Sequence, residues 1–122
     1  MKLLPSPTEK SKPDGYIYLA CAYSHPDPNI REARFHRVNE AVATLMNEGY
    51  VVYSPITHNH PIAVKHSLPI GWNFWGRLDE VFIRHCHELW ILVSDGWNES
   101  VGIWKEMDLA IKYDKLVRLL TL

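Results

Sequence analysis

The sequence predicts an α/β protein: a Rossmann-like or flavodoxin-like three-layer sandwich around a parallel sheet of four to five strands. Three observations carry this. Short, almost solidly apolar runs recur along the chain, as expected of strands buried on both faces. Longer segments between them place apolar residues at helical spacing. The resulting order, β-α-β-loop-α-β-α-β, is that of parallel strands joined by crossover helices.

Residues 1–15 hold three prolines, several charges and Asp14-Gly15, and read as a flexible lead-in to a single domain over residues 16–122. Residues 16–22 form the first strand, broken by His25-Pro-Asp-Pro28. Asn29 is a plausible N-cap for a helix over 30–48, with Val38, Ala41, Val42, Leu45 and Met46 on its apolar side. Gly49 ends that helix. Residues 50–53 make a second strand, stopped at Ser54-Pro55. Residues 56–71, rich in His and Pro, read as a long loop with one helical turn, and a loop longer than ~12–15 residues is usually functional or mobile. A helix follows over 73–87, then the clearest strand over 88–93 and a turn over 94–99. The helix over 100–113 has Asn98 or Ser100 as its N-cap, and a short strand over 116–120 closes the domain.

The charges nearly balance, with a formal net charge of −1, which gives no electrostatic reason to expect nucleic acid or an anionic membrane as partner. No apolar run approaches the ~20 residues of a membrane-spanning helix, and no signal-peptide pattern precedes residue 16. Cys21 and Cys86 lack metal or redox spacing and read as buried thiols of a cytoplasmic protein. No cofactor is implied.

In doubly wound sheets ligands sit beyond the carboxyl ends of the strands. That rim comprises residues 22–29, 54–71 and 94–99. The helix after the strongest strand starts there, so its free N–H groups face the rim. Gly102 and Glu106 are four residues apart and share a helical face. A glycine inside a helix is about 1 kcal/mol less favourable than alanine, and close approach of a ligand is one reason to keep it. On spacing alone Glu106 reads first as an ordinary solvated helical glutamate, and a catalytic role is the minority reading.

Ser100, Gly102, Glu106 and Ala110, following an apolar strand, resemble the signature of the nucleoside 2-deoxyribosyltransferase family and its nucleotide N-glycosidase relatives. The stretch Tyr18-Leu-Ala-Cys-Ala-Tyr23 is similar to that family's first strand and substrate loop, and Asp79 with Ile83 matches in position. Over residues 16–120 the chain resembles still more closely the uncharacterised DUF1937 proteins, through Ala22-Tyr-Ser-His-Pro-Asp27, Ser54-Pro-Ile-Thr-His58 and Leu89-Trp-Ile-Leu92. The resemblance implies that Glu106 is a carboxylate nucleophile toward C1′ of a deoxyribosyl N-glycoside. It implies that Asp79 protonates or orients the leaving base and that Ser100 holds a 5′-phosphate. It also implies a homo-oligomer, dimer or tetramer. The chain departs from the family in lacking glycines in its first loop and in carrying His87 just before the third strand.

The remaining rim residues have open roles. His58-Asn-His60 and His66 are too loosely spaced to specify a metal, and none is expected; His58 reads as structural or substrate-contacting. Arg31 is the arginine closest to the first loop and a candidate phosphate contact. Trp72, Trp75 and Trp97 can stack on a nucleobase or pack a subunit interface, whereas Trp90 and Trp104 read as core. The expected function is thus N-glycosidic-bond transfer or hydrolysis on a small-molecule nucleoside or its 5′-monophosphate. Glu106 and Asp79 would be catalytic, and Tyr18, Ala22, Tyr23, Arg31, His58, Trp97, Ser100 and Gly102 would bind substrate. The alternatives are a non-catalytic nucleotide-binding or sensing module and a structural oligomer.

Overall fold

The computed structural model describes residues 1–7 and 14–122. Its five strands are β1 (Lys2–Leu4), β2 (Ile17–Ala20), β3 (Val52–Tyr53), β4 (Glu88–Leu92) and β5 (Leu116–Thr121). Its four helices are α1 (Pro28–Asn47), α2 (Pro55–His66), α3 (Trp72–His85) and α4 (Val101–Lys112). The sheet order is β1-β5-β4-β2-β3, with β2, β3, β4 and β5 parallel and β1 antiparallel to β5. This is the expected three-layer Rossmann-like sandwich with one antiparallel edge.

Alternation along the strands sorts the core into two halves. Ile17, Leu19, Trp90 and Leu92 face α1, meeting Val38, Ala41, Val42 and Leu45. Tyr18, Ala20, Leu89 and Ile91 face the other way, meeting Ile83 of α3 and Ile103 and Ala110 of α4. β2 is buried along its whole length, which explains its unbroken apolar run.

The structure revises several sequence expectations. The lead-in reading fails for Lys2–Leu4, where Leu3 is buried and pairs with Leu120. A three-residue strand whose partner lies over a hundred residues away leaves little local trace. Residues 8–13, part of the expected flexible segment, lie outside the described residues. Helix α1 starts earlier than expected, because Asp27 rather than Asn29 is the N-cap. Its carboxylate accepts from the Asn29 amide at 2.9 Å, and Pro28 occupies the first turn.

The largest revision is α2, which occupies most of the expected loop. Ser54 caps it, accepting from the Thr57 amide at 3.1 Å, and Ser67 closes it in the left-handed region at φ 54°. Ile56, Asn59 and His60 are its buried positions after Pro55. The helical period was present, but carried by an asparagine and a histidine rather than by apolar residues. Trp104 is also revised: it is 52% exposed, with its indole N–H donated to the Asn98 carbonyl at 3.0 Å, while Trp90 is core as expected. Among the described residues no helix is long and apolar enough to cross a membrane.

Candidate active site

Strands β2 and β4 end beneath a cavity of about 520 Å³, walled by α2, the start of α3, the start of α4 and the segment after β2. Its size is that of a small-molecule site. Two buried carboxyl groups line it, besides the rim residue Glu99. Asp79 comes from α3 and Glu106 from α4, the two helices packed on the same face of the sheet, and they are 7% and 5% exposed. The Tyr18 hydroxyl, from the middle of β2, donates to Glu106 Oε2. Asp79 lines the same cavity as Glu106, and its charge acts on both the Glu106 carboxyl and the Tyr18 hydroxyl.

The electrostatics of this point are unusual. Among the described residues no lysine or arginine pairs with either carboxylate. Burial pushes both acids above the usual carboxylate range. The neighbouring charge of Asp79 lifts Glu106 further, and the Tyr18 hydroxyl opposes both shifts. Burial and the two acids hold the Tyr18 phenol well above its ordinary value, so it stays a donor. Asp79 Oδ1 and the Tyr53 hydroxyl are buried without a hydrogen-bond partner among the described residues. Buried polar atoms are nearly always satisfied, so two orphans beside a carboxyl pair mark a functional position. Such a pair holds its protons unevenly and offers one acid and one base at neutral pH.

The start of α4 forms the adjoining wall. Ser100 is its N-cap, accepting from the Ile103 amide at 3.3 Å, and it lines the cavity with Gly102. A Cβ at Gly102 would meet only Ser100 Oγ, at 3.7 Å. The glycine therefore leaves open space in the cavity rather than relieving a clash.

The opposite wall is wired rather than orphaned. Tyr23, just after β2, lines the cavity, and its hydroxyl lies 2.6 Å from His60 Nδ1. His60 Nε2 lies 2.6 Å from Glu32 Oε2 on α1, and the imidazole stacks on Phe35 at 4.4 Å. His60 is itself 5% exposed. Arg34 holds the rim together. Its Nη1 donates to the Ser24 carbonyl at 3.1 Å and the Tyr23 carbonyl at 3.3 Å. A Cβ at Gly96, whose φ is +79°, would fall 2.8 Å from Arg34 Nη2. Among the described residues Arg34 is the only arginine or lysine lining the cavity.

The other sequence candidates are placed unequally. Trp72 and Trp75 line the cavity, and Trp72 is wedged so tightly that a Cβ at Gly76 would come within 2.7 Å of its ring. Trp97 instead packs against the core on the α3–α4 side. Ala22 is fully buried in that core half. Arg31 lies outside the main cavity, its guanidinium donated to the His25 carbonyl and to the Pro26 carbonyl at 3.3 Å. His58 is exposed, its Nδ1 2.6 Å from Asn59 Oδ1, and it does not line the cavity. Asn59, His60, Arg34 and Cys21 were not among the site residues read from the sequence, although Arg34 neighbours the candidate Arg31 and His60 lies in the His-rich stretch, and all four line the cavity. The signal available for the first two was the Ser54-Pro55 helix start with residues 56, 59 and 60 following at helical spacing. Among the described residues no group of three or more His, Cys, Asp or Glu could hold a metal ion.

Fold and site together define a Rossmann-like α/β protein with a preformed strand-end cavity and a buried, unpaired carboxyl dyad in it. The family model described as "Domain of unknown function (DUF1937)" matches residues 15–121, and the chain belongs to that family. No curated protein matches the chain.

Proposed function

We propose that this chain is an enzyme of the N-glycosidic bond, acting on a deoxynucleoside or its 5′-monophosphate as a transferase or hydrolase. The observation that carries the reading is the pairing of Glu106 and Asp79 in a nucleoside-sized cavity, with the fully buried Tyr18 hydroxyl behind Glu106 and not itself in the cavity lining. The resemblance of Ser100, Gly102, Glu106 and Ala110 to the nucleoside 2-deoxyribosyltransferase signature supports the same reading. In the reaction, the proton shared by the pair settles on Asp79, and the ionised Glu106 attacks C1′ as the C1′–N bond breaks. The departing base takes up the proton held by Asp79. Water or a second base then attacks C1′, giving its proton to Asp79, and Glu106 is released. Tyr18 steadies the nucleophile by donating to Oε2. Ser100 and the first turn of α4 suit a sugar or phosphate oxygen, since an N-cap and free helix N–H groups face it.

The cytoplasmic setting in this proposal is supported by two free, buried thiols, Cys21 and Cys86. A homo-oligomeric state is supported by the large apolar side chains that α3 and α4 leave exposed, among them Phe74, Val101, Trp104 and Ile111. Light scattering of the purified chain tests it.

The decisive experiment is release of free base from deoxynucleosides and their 5′-monophosphates by wild type and Glu106→Ala. The expected result is turnover by wild type and a loss of about 10³-fold or more in the variant, with its circular dichroism unchanged. Equal rates in the two proteins overturn the assignment. Wild-type binding without turnover selects the sensing-module reading.

A further inference from the structure

The chain of contacts Glu32–His60–Tyr23 carries more than structural support, because it fixes where the protons are. Glu32 is half exposed, and its hydrogen bond from His60 holds it below the usual carboxylate range, so it is an acceptor only. The 2.6 Å contact from His60 Nε2 to Glu32 Oε2 therefore requires a proton on Nε2. In the neutral imidazole that leaves Nδ1 as an acceptor, and its 2.6 Å partner is the Tyr23 hydroxyl. With His60 in that form, Tyr23 donates there. Burial holds the Tyr23 phenol above its ordinary value, so it keeps the proton it donates.

The ring positions leave little freedom to rearrange. His60 is stacked on Phe35 at an interplanar angle of 26°, and Tyr23 meets it edge-on with centroids 5.4 Å apart. The Tyr23 main chain is tied by Arg34. With its one proton committed to His60 and the Arg31 guanidinium also acting on the phenol oxygen, what that oxygen keeps for the cavity that Tyr23 and His60 line is a lone pair. This wall belongs to the segment after β2 and to α2, and the two buried carboxyls come from α3 and α4. Tyr23 and Glu106 line the same cavity, so a glycoside held by its sugar at Glu106 has the Tyr23 wall within the same enclosure.

We propose that Tyr23 is the specificity-determining residue of this site: wired by His60 and Glu32 as a pure acceptor, it selects a base edge that presents an N–H. The proposal rests on the N-glycosidase reading for the identity of the ligand, but the wiring stands on geometry alone. His60 and Glu32 are positioning residues that act through Tyr23.

Two measurements test it together. The first is the ¹⁵N spectrum of histidine-labelled protein with no ligand present, with His60 assigned by difference from His60→Gln. Neutral His60 is expected to show a protonated Nε2 and an unprotonated Nδ1; the opposite tautomer overturns the proposal. Glu32→Ala, which removes the acceptor without touching the cavity, is expected to shift His60 toward a mixture of tautomers. The second compares base release from 2′-deoxyadenosine with purine 2′-deoxyriboside, and from 2′-deoxycytidine with its analogue lacking the 4-amine. Removing the amine is expected to lower kcat/KM by about tenfold or more in wild type for at least one pair. In Tyr23→Phe the ratio for that pair is expected to fall toward one, and in Glu32→Ala to fall partway. No discrimination in wild type, or full discrimination in Tyr23→Phe, overturns the proposal. Failure of wild type to bind or turn over any of the four overturns the N-glycosidase reading and the base selectivity with it, and the ¹⁵N pattern still decides the wiring.

Discussion

The two ends of the sheet bury carboxylates in opposite ways. At the amino end of β4, Glu88 accepts from Arg118 Nε at 2.9 Å and from the Trp90 indole at 2.8 Å, and Arg118 also donates to the Pro5 carbonyl at 2.5 Å. At the carboxyl ends, Asp79 and Glu106 share one hydroxyl, lack a cation and leave Asp79 Oδ1 orphaned. The same sheet, with similar burial, thus holds one acid as a structural tie and two others in a state that weakens the fold. An arrangement that costs stability persists where something other than stability is being served, and in this chain that is the carboxyl end of the sheet.

The comparison can be broken first at its most demanding point. Glu106→Gln keeps the size and the Tyr18 contact of the side chain but removes the charge. Base release is expected to fall about 10³-fold or more, while the urea midpoint holds or rises, because a buried charge has been removed. A variant that loses stability as well as activity would place Glu106 with Glu88 as a structural acid. Next, Arg118→Leu leaves the partly buried Glu88 without its cation, and an unfolding loss of about 1–3 kcal/mol is expected, with base release per folded molecule unchanged.

The pH response sharpens the contrast. Asp79 and Glu106 have folded values raised above those of the unfolded chain, so between an ordinary carboxylate value near ~4 and those raised values the native state binds more protons. Stability then falls as pH rises through that window, by at most about 1.4 kcal/mol per pH unit for each group, and levels off above it. Urea unfolding at a series of pH values should show this fall in wild type and a flatter profile in Asp79→Asn/Glu106→Gln. A parallel fall in both proteins would assign the effect elsewhere. The smallest effect belongs to Gly102→Ala. The added methyl has room, so the helix should gain up to about 1 kcal/mol, and KM should rise because the methyl enters the cavity.

Most of the fold was legible because β2 and β4 are buried on both faces and α1, α3 and α4 keep an apolar stripe. The floor of the site was legible because Asp79 and Glu106 fall within recognisable local patterns. The Tyr23 wall was not, since it depends on pairing residues 32 and 60 from two helices, one of which is disguised by Pro61 and four histidine or asparagine positions. β1 escaped for the same reason: its partner is distant and its own pattern is one buried leucine. Trp104 misled because a large aromatic at a helical position suggests burial, whereas its ring lies on the surface, tied by one hydrogen bond to Asn98.

Arg34 and Gly96 have a mechanical consequence. One guanidinium grips two carbonyls of the segment after β2 and lies against the turn after β4, in a gap that only a glycine at φ +79° leaves clear. The two lips of the entrance are therefore coupled, and a side chain at Gly96 would push them apart together rather than deform one of them. Ligands should meet an aperture whose width is set before they arrive. Their arrival should be governed by diffusion and fit, with little waiting for a loop to close.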